Sequence, residues 1–312
     1  MSDLPQTAEL FERAMAYPDP DAQARLDRLV GLDDQQQRLA KVLGLLVNPA
    51  GLAAWSELHH PDADHVMDLV LRRPPLVVLA GDVGSGKTEL AETIGDAVAR
   101  QEDIDVTLLP LSLSTRGQGR VGEMTRLLSA AFDHTIEAAE RLRSAKGKAR
   151  GAVILLVDEA DAITQSREAA QMHHEDRAGV NAFIRGVDRI ASGRLPAAVI
   201  LCTNRLGSLD PAVRRRAADV LGFSRPDDDQ RRAVLAPRLS ALGLKPGEIN
   251  DVVSATGPAE DDEHGFTYSD IVQRLLPAIV LDAYPSGPVT GERAVEIACR
   301  MEATPPFRED QP

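Results

Sequence analysis

The chain has 312 residues, of which 43% are apolar and 27% charged, and its formal net charge is −13. That length accommodates one large and one small domain. The negative charge counts against a protein that lives by coating nucleic acid, which should be basic. Aromatic residues make up only 3% of the chain, so its core must be built from Leu, Val, Ile and Ala, which favours α/β. Cys202 and Cys299 are too far apart to form a disulfide framework or a metal-binding spacing, which predicts a reducing compartment. The N-terminus lacks a basic stretch followed by an apolar one. No apolar run reaches the ~18 residues of a membrane span. The expected location is the cytoplasm, with no membrane partner.

In chain order, residues 4–17 have the pattern of a short amphipathic helix stopped by Pro18 and Pro20. A second helix is expected over Gln35–Val47, capped by Asp33 or Asp34. Residues 48–75 suggest a helix, a break near Pro61 and another helix, and the single tryptophan, Trp55, is expected in the core. Apolar runs then recur at Leu76–Ala80, Val106–Leu111, Ala152–Val157, Ala197–Cys202 and, more weakly, Asp219–Phe223. Helical stretches separate them. This alternation predicts parallel strands covered on both faces, a doubly wound α/β sheet with ligands at the carboxyl ends of its strands. From about Ser224 strand-like runs cease. Asp227–Leu242, Pro246–Thr256, Tyr268–Ala283 and Thr290–Met301 read as helices of a small second domain. The acidic run Glu260–Glu263 reads as a solvated turn, and Thr304–Pro312 as a tail.

Four constellations carry chemistry. The first is Gly81–Asp82–Val83–Gly84–Ser85–Gly86–Lys87–Thr88, which fits G-x-x-x-x-G-K-[ST] between a strand and a helix. The glycines Gly81, Gly84 and Gly86, with Ser85, let successive N–H groups curl around a phosphate. Lys87 would reach the β- and γ-phosphates, and Thr88 would place a hydroxyl on Mg²⁺. The second is Ile154–Glu159, four apolar residues ending in Asp158 and Glu159. Asp158 would hold Mg²⁺ directly or through water, and Glu159 would orient and polarise an attacking water. The third is Asn204, after the fourth strand, where an amide can sense a γ-phosphate; an isolated Asn there would mean only a turn. The fourth is Leu209–Asp210–Pro211–Ala212–Val213–Arg214–Arg215–Arg216. Its arginines are either a solvated basic face or the source of an arginine supplied in trans to a neighbouring subunit's γ-phosphate.

With these residues the chain resembles an AAA+ ATPase over about residues 25–300. It carries that family's Walker A (Gly81–Thr88), Walker B (Ile154–Glu159), sensor-1 Asn204 and a Leu–Asp–Pro–Ala run before an arginine finger. Val30–Asp33 resembles the family's entry segment near the adenine. The resemblance implies ATP and Mg²⁺ as cofactors. It implies a short N-terminal extension (1–24), a large α/β ATPase domain (25–224), a small helical lid (225–302) and a tail (303–312). Within AAA+ the chain is similar to the pachytene-checkpoint remodellers of HORMA-domain proteins. That likeness rests on the segment closing at Asp188, on Arg216–Ala217 followed by Asp219, and on Leu276–Pro277 followed by Tyr284. It implies a homo-hexamer that partly unfolds a HORMA-domain protein to dissociate its complexes. In bacteria this would switch off a cyclic-oligonucleotide antiphage signalling system. Glu159, Asn204 and Arg216 would be catalytic. Which of Arg214, Arg215 and Arg216 is the finger stays open.

Three features depart from those relatives. The adaptor domain of the eukaryotic members is not expected in the few residues before the AAA+ segment. The expected first pore loop, Ser114–Gly122, lacks an aromatic, which leaves Arg116, Gln118, Arg120 and Val121 as its substrate contacts, unless the stretch is only a surface loop. Ser269 stands where sensor-2 arginines often sit, and Arg274 lies in another phase, so no sensor 2 is assigned. His173 and His174, in the polar segment Gln165–Arg177, lack partners at metal-ligand spacing. The alternatives are a clamp-loader or initiator relative acting on DNA, a nucleotide-gated scaffold without turnover, or a small-molecule kinase. No basic surface or added DNA-binding module supports the first of these. Glu159 and the arginines count against the second, and Asn204 with Glu159 fits water activation better than the third.

Overall fold

A computed structural model of the chain describes residues 10–112, 123–144, 148–162, 174–258 and 264–306. The expected pore-loop residues Arg116, Gln118, Arg120 and Val121 lie outside them, as do His173 and the Glu260–Glu263 run. The chain forms two compact units. One holds the described residues of Met1–Asp27, Asp34–Ala80 and Thr88–Leu221, and the other those of Arg28–Asp33, Gly81–Lys87 and Gly222–Pro312.

The elements follow as β1 (Met15–Tyr17), α1 (Pro20–Leu26), α2 (Asp33–Val47), α3 (Pro49–His59), α4 (Asp64–Leu71), β2 (Leu76–Gly81) and α5 (Lys87–Glu102). Next come β3 (Asp105–Pro110), α6 (Glu123–Leu142), β4 (Gly151–Val157), α7 (His174–Gly193), β5 (Ala197–Thr203), the short α8 (Pro211–Arg214) and β6 (Asp219–Phe223). The chain continues through α9 (Asp228–Ala241), α10 (Pro246–Ala255), a π-helical stretch over Asp270–Leu275, α11 (Leu276–Ala283) and α12 (Gly291–Arg300).

The sheet order is β1-β3-β4-β5-β2-β6. β3, β4, β5 and β2 pair in parallel, with Leu155 opposite Val199 and Val78 opposite Leu201. Period-2 alternation sends Leu76, Val78, Val153, Leu155, Val199 and Leu201 into one core cluster with Leu128, Phe132 and Phe183 of α6 and α7. The residues between them, Val77, Leu79, Ile154, Leu156 and Ile200, are buried as well. Both faces are therefore dry, which is why these strands read as unbroken apolar runs rather than alternating ones.

The N-terminal segment differs from expectation. Met15–Tyr17 is a strand, antiparallel to β3, and Phe11 bridges to Leu111. Leu10 and Phe11 are buried. Pairing with an open sheet edge satisfies more backbone groups than an isolated amphipathic turn, so tertiary context overrides the local pattern. Beyond it, Asp19 caps α1 and its own N–H donates to Asp96 of α5 at 2.7 Å. Arg25 forks onto Glu89 of α5 at 2.7 and 2.9 Å and reaches Glu92 at 2.7 Å. Trp55 also departs from expectation: it is 46% exposed, with the rings of His59 and His60 beside it.

In the second unit the core is aliphatic, drawn from α9 to α12: Val234, Leu235, Leu239, Ile249, Val252, Leu275, Ile279 and Ala294. α9 opens on a capping box between Asp227 and Gln230. The helix expected over Tyr268–Ala283 is interrupted. Pro277 has no N–H to donate to the preceding turn, and the ladder ahead of it widens to π over Asp270–Leu275.

Phe183 is fully buried and meets Phe132 edge-on at 5.6 Å between ring centres. Phe183→Ala is expected to cost ~3–5 kcal/mol. Leu281→Ala, at a position 69% exposed, should stay within ~0.5 kcal/mol. Thermal unfolding of the two variants against the parent checks both values.

Candidate nucleotide site

In the first unit, β4 ends at Val157 and delivers Asp158 and Glu159 to the carboxyl edge of the sheet. Asp158 accepts a hydrogen bond from the Thr88 hydroxyl, Oγ1 to Oδ2, at 2.7 Å. The two expected metal-binding side chains, seventy residues apart in sequence, are thus in direct contact. The other oxygen of Asp158 accepts from the Glu159 N–H at 2.8 Å. Glu159 has φ +49°, a left-handed conformation costly for a residue with a Cβ. The turn separates the two carboxylates: Asp158 is half-buried on Thr88, and Glu159 is exposed. Among the described residues no group of three or more His, Cys, Asp or Glu could hold a metal. One hydroxyl and one carboxylate suit Mg²⁺, which is commonly bound by few protein ligands and completes its shell with phosphates and waters.

Asn204 follows β5. Its N–H donates to Asp161 at 3.2 Å, and the hydroxyl of Thr203 donates to the same carboxylate. Thr203 in turn accepts from the Arg205 N–H at 3.0 Å. Asp161, in the turn after β4, therefore ties the ends of β4 and β5 together and fixes the position of Asn204. Sequence reasoning gave Asp161 no role. Its spacing of three from Asp158 was the only available signal.

The arginine segment is built on Asp210, which is buried and caps α8 by accepting from the Ala212 N–H at 2.8 Å, with Pro211 in the first turn. Arg214 and Arg215 are exposed. Arg216 forks onto Asp188 of α7 at 2.7 and 2.9 Å and donates to the Ala212 carbonyl at 3.1 Å. Hydrogen bonding to Asp188 raises its pKa. In the single chain Arg216 is thus held by its own Asp188.

In the second unit the glycine-rich loop expected to bind phosphate, Gly81–Lys87, continues from the end of β2. Gly84 and Gly86 have φ of +71° and +93°. A Cβ on Gly84 would stand 2.8 Å from Ser269 Cβ and from Thr267 Oγ1, and one on Gly86 would stand 3.0 Å from Leu32. Only glycine fits at either position. Ser85 is fully buried, with its hydroxyl on the Asp82 carbonyl at 2.7 Å. Lys87 is 6% exposed, and its Nζ donates to the carbonyls of Gly81 at 2.9 Å and Asp82 at 2.7 Å. Ser269 donates its N–H to the Gly84 carbonyl at 3.2 Å. Arg274 turns instead to Asp270 at 2.6 Å. Gln230 donates to the Gly31 carbonyl at 2.8 Å, and burial pushes the nearby Tyr268 phenol up to about 12.

A loop of this kind, a hydroxyl on its next residue bonded to a strand-end carboxylate, and a glutamate after that carboxylate define a nucleotide-hydrolysing protein. The family model of the "ATPase family associated with various cellular activities (AAA)" matches residues 77–225. The chain is 63% identical over 311 residues to CD-NTase-associated protein 6 of Escherichia coli strain MS 115-1, with both chains covered in full. It belongs to the AAA ATPase family. Among solved structures it is similar to a chain of the E. coli MS115-1 HORMA:CdnC:Trip13 complex, with TM-score 0.91 and 63% identity over 97% of this chain and 99% of that one. It also resembles Rhizobiales Trip13, with TM-score 0.75 and 56% identity over 95% and 100% of the two chains.

Asp270 supplies a pH-dependent prediction. Its side chain is 1% exposed. Burial pushes the carboxyl up, but bonds from Thr304, Thr267 and Arg274 outweigh it and hold the group at about 2. A carboxylate depressed on folding contributes stability that is complete above its unfolded value near 4 and lost as pH falls towards 2. Asp270→Asn is therefore expected to lower stability by about 2 kcal/mol at neutral pH. The gap in thermal midpoint between parent and variant should close between about pH 4 and pH 2.

Proposed function

We propose that this chain is an ATP-driven remodeller of a HORMA-domain protein, working as a homo-hexameric ring in the cytoplasm. Its action would partly unfold that protein, dissociate its complexes and switch off a cyclic-oligonucleotide antiphage signalling system. The observation that carries the reading is the Thr88–Asp158 bond at 2.7 Å, with Glu159 turned free of it by one left-handed residue. Further support comes from the 63% identity to a protein named for association with a CD-NTase and to a chain of a HORMA:CdnC:Trip13 complex. The net charge of −13 suits a protein substrate better than nucleic acid.

The residues divide the work. Gly81, Gly84, Ser85 and Gly86 shape the loop that receives the phosphates, and Lys87 moves from loop carbonyls to phosphate oxygens when ATP binds. Thr88 and Asp158 would hold Mg²⁺, whose charge would offset that of the phosphates. Glu159 accepts a proton from the attacking water, and Asn204, fixed through Asp161, orients that water or the γ-phosphate. Arg216 of the neighbouring subunit completes the site by exchanging Asp188 for the γ-phosphate. Arg116, Gln118, Arg120 and Val121 contact the substrate polypeptide.

Glu159→Gln is expected to bind ATP, assemble and retain a HORMA-domain protein in a pull-down, with phosphate release reduced at least about a hundredfold. Normal turnover would remove Glu159 from its role, and capture of DNA in place of protein would overturn the substrate. Arg216→Ala should lose about 10³ in kcat. Mixing it with Lys87→Ala subunits should restore part of the activity at mixed interfaces. An arginine acting within its own subunit gives no such recovery.

A further inference from the structure

We propose that Arg225 is a positioning residue for the phosphate loop, braced by the C-terminal segment at Thr304. The inference rests on the reading of Gly81–Thr88 as the ATP site. Arg225 follows β6, just ahead of Pro226 and the cap of α9. Its Nε donates to Asp82 Oδ2 at 2.6 Å, one terminal nitrogen to the Gly265 carbonyl at 2.8 Å and the other to the Thr304 carbonyl at 2.7 Å. The Arg225 and Asp82 side chains are 14% and 17% exposed. A fork this enclosed and directed in three ways is a fixed strut rather than a surface ion pair.

Asp82 is the second residue of the phosphate loop. Its carbonyl receives Lys87 Nζ at 2.7 Å and the Ser85 hydroxyl at 2.7 Å, and its Oδ1 receives the Val83 N–H at 2.9 Å. Holding the Asp82 side chain therefore fixes the carbonyl on which the phosphate-binding lysine rests. Thr304 is held from both sides. Its carbonyl meets Arg225, its N–H donates to Asp270 at 3.1 Å and its hydroxyl donates to Asp270 at 2.6 Å. The glycine-rich loop would otherwise lose much backbone entropy on closing around phosphate. A loop ordered beforehand loses less, and the difference appears in nucleotide affinity. All three of these Arg225 contacts are to protein groups, so its effect should fall on ATP binding and spare turnover at saturation.

The test uses the full chain. ATP affinity is measured by calorimetry in a Glu159→Gln background, and kcat and KM in the otherwise unaltered protein. Arg225→Ala should weaken ATP about tenfold and raise KM equally, with kcat within about twofold. Arg225→Lys, which can meet Asp82 but cannot span Gly265 and Thr304, should recover only part of the affinity. Asp82→Asn should weaken ATP similarly, and the double variant should be no weaker than the worse single one, the mark of a shared interaction. A chain ending at Ala303 should lose affinity, and one ending at Pro306 should keep it. If Arg225→Ala does not fold, the Asp82→Asn and Ala303 chains carry the test. ATP affinity indifferent to these changes, additive effects of Asp82 and Arg225, or a loss in kcat at unchanged affinity would each overturn the inference alone. Failure of the Glu159→Gln parent to bind ATP would overturn the reading of the site and this inference with it.

Discussion

The parallel registration of β2, β5 and β4 is the constraint from which the rest of the chemistry follows. Parallel neighbours end on the same edge, so whatever follows their last residues is gathered there whatever its distance in sequence. Thr88 follows β2 by way of the phosphate loop, Asp158 follows β4, and Asn204 follows β5. The registration holds because both faces are dry, leaving every strand N–H and C=O to find its partner in the ladder. A slip of one residue would send Ile154 and Leu156 to the face occupied by Leu155 and would also move Asp158 off Thr88.

At the strand ends, short polar contacts take over from apolar packing. Asp161 joins β4 to β5, Asp210 starts α8, and Arg216 lies on Asp188. The Asp161 and Asp188 bonds join segments 43 and 28 residues apart, while the Asp210 cap is local. The second unit repeats the pattern with Arg225 and Asp270, whose partners sit in the phosphate loop, in the loop before the π stretch and at Thr304. In both units apolar burial supplies most of the stability, while a few enclosed carboxylates and guanidinium groups set the angles.

Where the pattern left a single local reading, expectation and structure agree. All five strand runs lie within a residue of where composition put them, and for Leu76–Ala80, Ala152–Val157 and Ala197–Cys202 five to six consecutive apolar residues between helical stretches have little else to form. The glycine loop was legible because its glycines are required by backbone conformation, and Gly84 and Gly86 do have positive φ. The first strand was not legible: Met15–Tyr17 is too short to show alternation and is held by β3. Trp55 misled because a large apolar side chain is expected inside, yet here it lies on an exposed helix with two histidines. The π stretch was hidden because Pro277 sits where a helix start also tolerates proline.

What the sequence determined by itself is pattern tied to backbone: a glycine-rich loop between strand and helix, a carboxylate pair at a strand end, an amide after the next strand, and a helical region after about Ser224. Those signals survive in one dimension because each depends on neighbours within about ten residues. What only the tertiary structure decided is which polar groups meet across the fold. That Asp161 steadies Asn204, that Asp188 holds Arg216, that Arg25 grips Glu89 and that Arg225 reaches from Asp82 to Thr304 all depend on loop closures of 28 to 143 residues. An arginine or an aspartate carries no mark of its partner until burial removes water as the alternative.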